Sequence, residues 1–208
     1  SRDGQRTWGC EAIMLSAGTN VEWLVADLGI LADAAESHTV AAQCATTDGV
    51  MYVPALMGLG TPHWDYGARG TLLGLTRGSG RPQVVRAVLE GVAHRGADLL
   101  EAAELDTGID VPTLRIDGGM SQNPTFVQAL ANASGRTVEV SRHTEATTMG
   151  AAYLAGLAVG VWGSFDDIAD AWSPRAVVEP TGRLDRTQWK EAVERSRGWI
   201  PDLSALDF

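Results

Sequence analysis

Between Pro82 and Gly160 the spacing of apolar residues alternates between helical and strand periods, and this alternation constrains the fold more than any other property of the chain. Val85, Val88, Leu89, Val92, Ala93, Leu99 and Leu100 share one stripe, which predicts a long helix from Pro82 to near Gly108. TLRID then reads as a strand. A helix follows from Pro124 to about Ser134, stopped by Gly135, and RTVEV reads as the next strand. Thr144 stands where a cap is expected for a last helix from about Glu145 to Val159, which Gly160 stops. The order α-β-α-β-α predicts an α/β fold with an open sheet and right-handed crossovers.

The junction inside that pattern, LRIDGGMSQNPTF from Leu114 to Phe126, carries the chemistry. Gly118 and Gly119 lack a Cβ, so the backbone there accepts positive φ and lets a flat ligand approach the main chain. Asn123 is a good N-cap and Pro124 suits the first helical position, so free amides at a helix start point towards the glycine turn. A ligand-free strand-to-helix connection fits the same residues. A dinucleotide fingerprint does not, because the GxG step with a third glycine is missing and only Glu139 stands at the expected remove. Asp117 is expected to steady the turn by accepting backbone N–H bonds. A second helix start of this kind lies at Gly18-Thr19-Asn20, followed by Val21, Leu24, Val25 and Leu28 at helical spacing and a stop at Gly29.

Asp48-Gly49 marks a turn before the strand-like VMYVPAL. After it, GLGTPHWDYGARGTLLGLTRG forms a long aperiodic loop, and loops of that length are usually functional or interfacial. We expect its Trp64 and Tyr66 to pack on the domain while Asp65 pairs with Arg69, with an interface as the alternative. In MGAAYLAGLAVG the residues Gly150, Ala151, Ala152, Ala155 and Gly156 form a flat helix face, read either as packing on its own sheet or as close approach by another backbone. Near the end, DRTQWKEAVERSRGWI predicts an amphipathic surface helix, so the chain divides into 1–172 and a C-terminal extension, 173–208.

The formal net charge of −10, with no basic run, argues against a nucleic-acid partner or an anionic membrane surface. It does not argue against a nucleotide, which local amides and dipoles can hold. Cys10 and Cys44 make no disulfide framework, and no apolar run reaches the roughly 20 residues of a membrane span, so a cytoplasmic protein is expected. His94 and His143 are expected to cap or lie at the surface, since no second ligand stands at a metal spacing. The chain opens on Ser1 just before a strand-like run, which reads as a piece of a longer polypeptide.

Several separate segments together resemble the C-terminal domain of the FGGY carbohydrate kinases. MLSAGTNVEWL is similar to that family's helix-opening segment, and GLGTPHWDYGARGTLLGLTRG resembles the central loop of its glycerol-directed branch. Gly70 to Glu90 satisfies the second family signature, while LRIDGGMSQNP and HTEATTMGAAYLAGLAVGVW are similar to its adenosine-side turn and the helix after it. The resemblance runs from about Gly9 to Trp172.

It implies the C-terminal lobe of an actin-like ATPase, or ribonuclease H-like, fold: a mixed sheet flanked by helices, with ATP or ADP in a cleft between two lobes. It also implies Mg held mainly by residues outside this chain, a polyol or sugar substrate, a homo-oligomer, and an N-terminal lobe carrying the catalytic Asp and the phosphate hairpins. No catalytic residue is therefore expected here, and this piece alone should be inactive. Gly119 and Asn123 take the positions of adenine-side contacts, Gly18 and Glu22 match a second pair on the opposite helix, and Gly118 joins them through the turn. Glu22 departs from the family, which usually has Gln there, and an ionised carboxylate only accepts hydrogen bonds. A xylulokinase- or gluconokinase-like enzyme and a non-catalytic nucleotide-binding or assembly module are the alternatives.

Overall fold

The computed structural model describes residue 6 and residues 8–206. Eight α-helices and five short strands are found among them: α1 Thr19–Ala26, α2 Glu36–Ala41, β1 Met51–Val53, β2 Thr71–Leu73, α3 Arg81–Thr107, β3 Thr113–Ile116, α4 Pro124–Ser134, β4 Thr137–Val140, α5 Ala146–Ala158, α6 Phe165–Ala171, β5 Ala176–Val178, α7 Arg186–Ser196 and α8 Pro201–Ser204. The alternation read from the sequence is present, and two of its expected stops act as read. Gly108 and Gly135 end α3 and α4 in the left-handed conformation, at φ 68° and 66°.

The sheet is small and mixed. β3 and β4 run parallel in the register Thr113↔Thr137 to Ile116↔Val140, with α4 as the crossover between them. β5 adds to β4 antiparallel, and β1 and β2 form a separate antiparallel pair. A strand between the helix stopped by Gly160 and the C-terminal amphipathic helix was not read from the sequence. The short run Ala176–Val178 has two exposed residues out of three, too little alternation to signal a strand.

Helix α3 is the spine. It packs on α4, β1 and α2, and its apolar stripe supplies much of the main core with Leu24, Val40, Val50, Leu130 and Val138. Gly91 makes this possible: a Cβ there would run into the carbonyl oxygen of Tyr52, so only glycine lets α3 lie against β1.

Helix α7 closes a second, smaller core with Val53, Leu59 and Ala68. It is amphipathic as expected, yet its apolar side is sealed, and Trp189 is 0 % exposed. The indole N–H donates to both carboxylate oxygens of Asp98 at 3.1 Å, and the ring stacks on His94 at a centroid distance of 4.8 Å. Asp98 also holds Arg95 at 2.7 Å and Arg186 at 2.6 Å. A buried carboxylate is tolerable because both cations and the indole satisfy it.

Four expectations are corrected. His94 is neither a cap nor a surface residue but is buried between α3 and α7, where the arginine of α7 donates to its Nδ1 at 3.2 Å. Asp65 does not pair with Arg69: it accepts from the backbone of Gly67, Ala68 and Gly198 and from Ser204 Oγ, while Arg69 donates to the carbonyls of Tyr66 and Ala68. Thr144 makes no side-chain cap, because Asp117 reaches across from the end of β3 and accepts the N–H of Ala146 at 3.0 Å. The flat face of α5 does not pack into a core, since none of that helix's residues is buried.

Because an arginine can only donate, His94 Nδ1 is the acceptor and the ring proton sits on Nε2. Burial, reinforced by the Arg186 cation, pushes the imidazole pKa down to about 4. The unfolded chain, with an ordinary histidine near 6.5, therefore binds the extra proton first as pH falls. Stability should be full above pH 6.5 and decline towards about pH 4, by up to ~3 kcal/mol from this group. Urea unfolding at several pH values, compared with His94→Phe, checks this: the variant should lose a clear part of the acid sensitivity, and identical slopes would refute the assignment.

Candidate nucleotide cleft

Two helix starts face each other across a small cleft of about 140 Å³. One wall is the beginning of α1, with Gly18 and Glu22; the other is the turn after β3, with Gly119 and Asn123. Val21, Leu89 and Met120 supply apolar surface between them, and Ala34 and Ser37 border it from the start of α2.

Each wall has its own local cause. In the first, Asn20 is fully buried and holds the start of α1: its amide donates to the carbonyls of Ser16 and Ala17, and its oxygen accepts from Tyr52 O–H at 2.8 Å. Burial raises the pKa of the Tyr52 phenol, so it remains a donor. In the second wall, Gly118 takes φ 79°, a conformation that favours glycine, and turns the chain into a short 3₁₀ turn, Gly119–Gln122, ahead of α4. That turn was not anticipated, since Asn123-Pro124 already suffices to start the helix. Asn123 does cap α4, its Oδ1 accepting from Phe126 N–H at 3.1 Å.

The glycines of this site differ in kind. Gly118 is structural: its N–H donates to the Thr144 carbonyl, its own carbonyl accepts from Ser121, and it does not border the cleft. Gly119 meets no atom within 4 Å of where a Cβ would stand, and at Gly18 the nearest is Met120 Cγ at 3.8 Å. Gly18 also has an ordinary helical backbone, φ −58° and ψ −31°. Nothing in the packing demands glycine at either place, and both keep the cleft open. Of the residues read from the sequence, Gly18, Glu22, Gly119 and Asn123 thus come together. Asn20, Ser37 and Tyr52 were missed, because their roles depend on partners distant in sequence.

The chemistry of this cleft is that of holding a flat, partly polar body: apolar floor, amide and hydroxyl edges, and one exposed carboxylate at Glu22. Magnesium does not fit here. Glu22 is the one carboxylate bordering the cleft, and among the described residues no three His, Cys, Asp or Glu side chains gather. A larger hollow of about 530 Å³ lies between the C-terminal half of α3, α7 and the loop at Thr61–Trp64. Size alone does not recommend it, since three of its four carboxylates, Asp98, Glu101 and Glu194, are already paired with arginines.

Residues 1–159 match the C-terminal domain of the FGGY family of carbohydrate kinases. The chain belongs to this family. Among curated relatives, it is 44% identical to a glycerol kinase of Deinococcus radiodurans over 98% of this chain and 42% of that protein. A glycerol kinase of Rhodopirellula baltica is 41% identical over 98% of this chain and 39% of its own. The chain therefore spans about two fifths of the length of these relatives. Among solved structures, Plasmodium falciparum glycerol kinase with ADP superposes with a TM-score of 0.77 at 35% identity, covering 86% of this chain and 37% of that one. A gluconate kinase from Lactobacillus acidophilus shares the fold, with a TM-score of 0.69 at 22% identity over 90% of this chain and 38% of that one. The FGGY lobe seen here has the actin-like ATPase architecture, a mixed sheet flanked by helices.

The contrast between glycines is testable by stability alone. Gly119→Val should change the urea-unfolding free energy by less than about 1 kcal/mol. Gly58→Ala should cost clearly more, because Gly58 has φ 86° and its Cβ would meet the Tyr66 backbone at 2.8 Å. Equal effects would mean that Gly119 is as structural as Gly58.

Proposed function

We propose that this chain is the nucleotide-holding lobe of an ATP-dependent kinase that transfers the γ-phosphoryl group to a hydroxyl of glycerol, giving glycerol 3-phosphate and ADP. The observation that carries this reading is the meeting of Gly18, Glu22, Gly119 and Asn123 around one cleft. Identity above 40% to proteins named glycerol kinase, over nearly the whole chain, supports the substrate.

In this reading the adenine lies between the two helix starts, its faces against backbone at Gly18 and Gly119, and its polar edge meets Asn123. Met120 lies beside Gly18, and an unbranched thioether chain can swing to admit a ring. Glu22 accepts from the exocyclic amine or a ribose hydroxyl, where the family's usual Gln could also donate.

Phosphoryl transfer further needs a group that orients the attacking hydroxyl, and donors and a metal on the moving phosphoryl. We assign these to the part of the enzyme that precedes this lobe, with Mg held there. Free Cys10 and Cys44 agree with a cytoplasmic setting, and the exposed Leu105 and Ile109 beyond α3's core stripe agree with a homo-oligomer.

Titration calorimetry with ADP tests the reading. The 208-residue chain should bind ADP weakly and Gly119→Val at least about tenfold more weakly, while neither phosphorylates glycerol. Equal binding by the two proteins would refute the site, and turnover by this chain alone would refute the division of labour between lobes.

A further inference from the structure

Ser37 lies at the start of α2, outside both helix starts that define the cleft, and is buried to 1 % exposure. Its Oγ donates to the carbonyl of Ala34 at 2.6 Å. A carbonyl can only accept, so the single hydroxyl proton is spent there. The contact of Ser37 Oγ with Asn123 Nδ2, at 2.8 Å, can then run in one direction only: the amide donates and the hydroxyl accepts.

This settles which way Asn123 faces. On its other side, Oδ1 accepts the backbone N–H of Phe126. Flipping the amide would set its oxygen against a hydroxyl oxygen with no proton to give, and its NH₂ against a backbone N–H. Two independent bonds thus hold one orientation, one using half of the amide's donor capacity and the other half of its acceptor capacity. One Nδ2–H and one Oδ1 lone pair remain on a residue that borders the cleft.

We propose that Ser37 is a positioning residue for the nucleotide base, acting through Asn123 by locking the amide so that a fixed donor and a fixed acceptor are presented to the cleft. The proposal rests on the reading of the cleft as a base site. A neighbouring bond strengthens the same device: His38 Nδ1 and Thr125 Oγ1 meet at 2.8 Å, so successive residues of α2 hold successive parts of the first turn of α4. Without the Ser37 oxygen, Nδ2 loses its acceptor and the amide is held from one side only. Part of the ordering is then left for the ligand to supply.

Calorimetry on the full 208-residue chain with ADP and with adenosine tests this, using Ser37→Ala, Asn123→Ala and the double variant. Ser37→Ala should weaken both ligands by the same factor, about fivefold, because the effect falls on the base and not on the phosphates. The Ser37→Ala effect should vanish when Asn123 is already alanine, since the residue it acts through is gone. Unchanged ADP affinity in Ser37→Ala would overturn the proposal while leaving the cleft intact. So would a loss that persists undiminished beside Asn123→Ala, or one confined to ADP. If the unsubstituted chain binds neither ligand, the base-site reading itself fails and this inference with it. Ser37→Cys, which keeps the volume but offers a weak acceptor, carries the same expectation and serves if the alanine variant folds poorly.

Discussion

The contact of α3 with β1 at Gly91 governs the arrangement of everything that matters in this lobe. With the helix backbone laid directly on the Tyr52 carbonyl, the side chains to either side along α3 are committed to different tasks. Leu89 reaches the cleft, while His94 and Asp98 reach α7 and Arg95 reaches the loop at Thr61. Tyr52 is held under the helix, which leaves its hydroxyl one use: to fix Asn20 and through it the start of α1. A side chain at position 91 would push helix and strand apart and loosen both ends of that system.

The cleft is assembled from three pieces of chain that have no local reason to meet. α1 is anchored by Asn20, the 3₁₀ turn is set by the left-handed Gly118, and α2 ties itself to α4 through Ser37 and Asn123. Two of these anchors use a buried polar side chain, Asn20 and Ser37, whose hydrogen bonds are made within the fold, which is what makes such groups rigid rather than costly. The glycines that border the cleft are of another sort, required by neither conformation nor neighbours. That distinction separates the residues that build the site from those that leave room in it.

Much of this was legible beforehand. The helix Pro124 to Ser134 was read with its observed limits, because Asn123, Pro124 and Gly135 act within a few residues of themselves. Thr144 misled because a competing acceptor, Asp117, arrives from another strand. Asp65 and Arg69 misled in the same way: the carboxylate is taken by backbone amides and Ser204, more than a hundred residues further on in part. His94 looked like a surface histidine because its partner, Trp189, stands on a helix that reads as merely amphipathic. The four residues that share the cleft were legible through resemblance and helix-start chemistry, whereas Ser37 carried no signal of its own.

By itself the sequence determined the alternation of helices and strands from Pro82 to Gly160, several of the places where they begin and end, and the family to which the chain belongs. These rest on apolar periodicity, on caps and on glycine, all of which act over a turn or less of the backbone. Tertiary structure alone decided which polar groups are satisfied by which partners: the burial of Asp98 between two arginines, the refusal of Asp65 to pair with its near neighbour, and the orientation of the Asn123 amide. Hydrogen bonds and ion pairs are made to whatever the fold brings within about 3 Å, and that distance has no counterpart in sequence spacing.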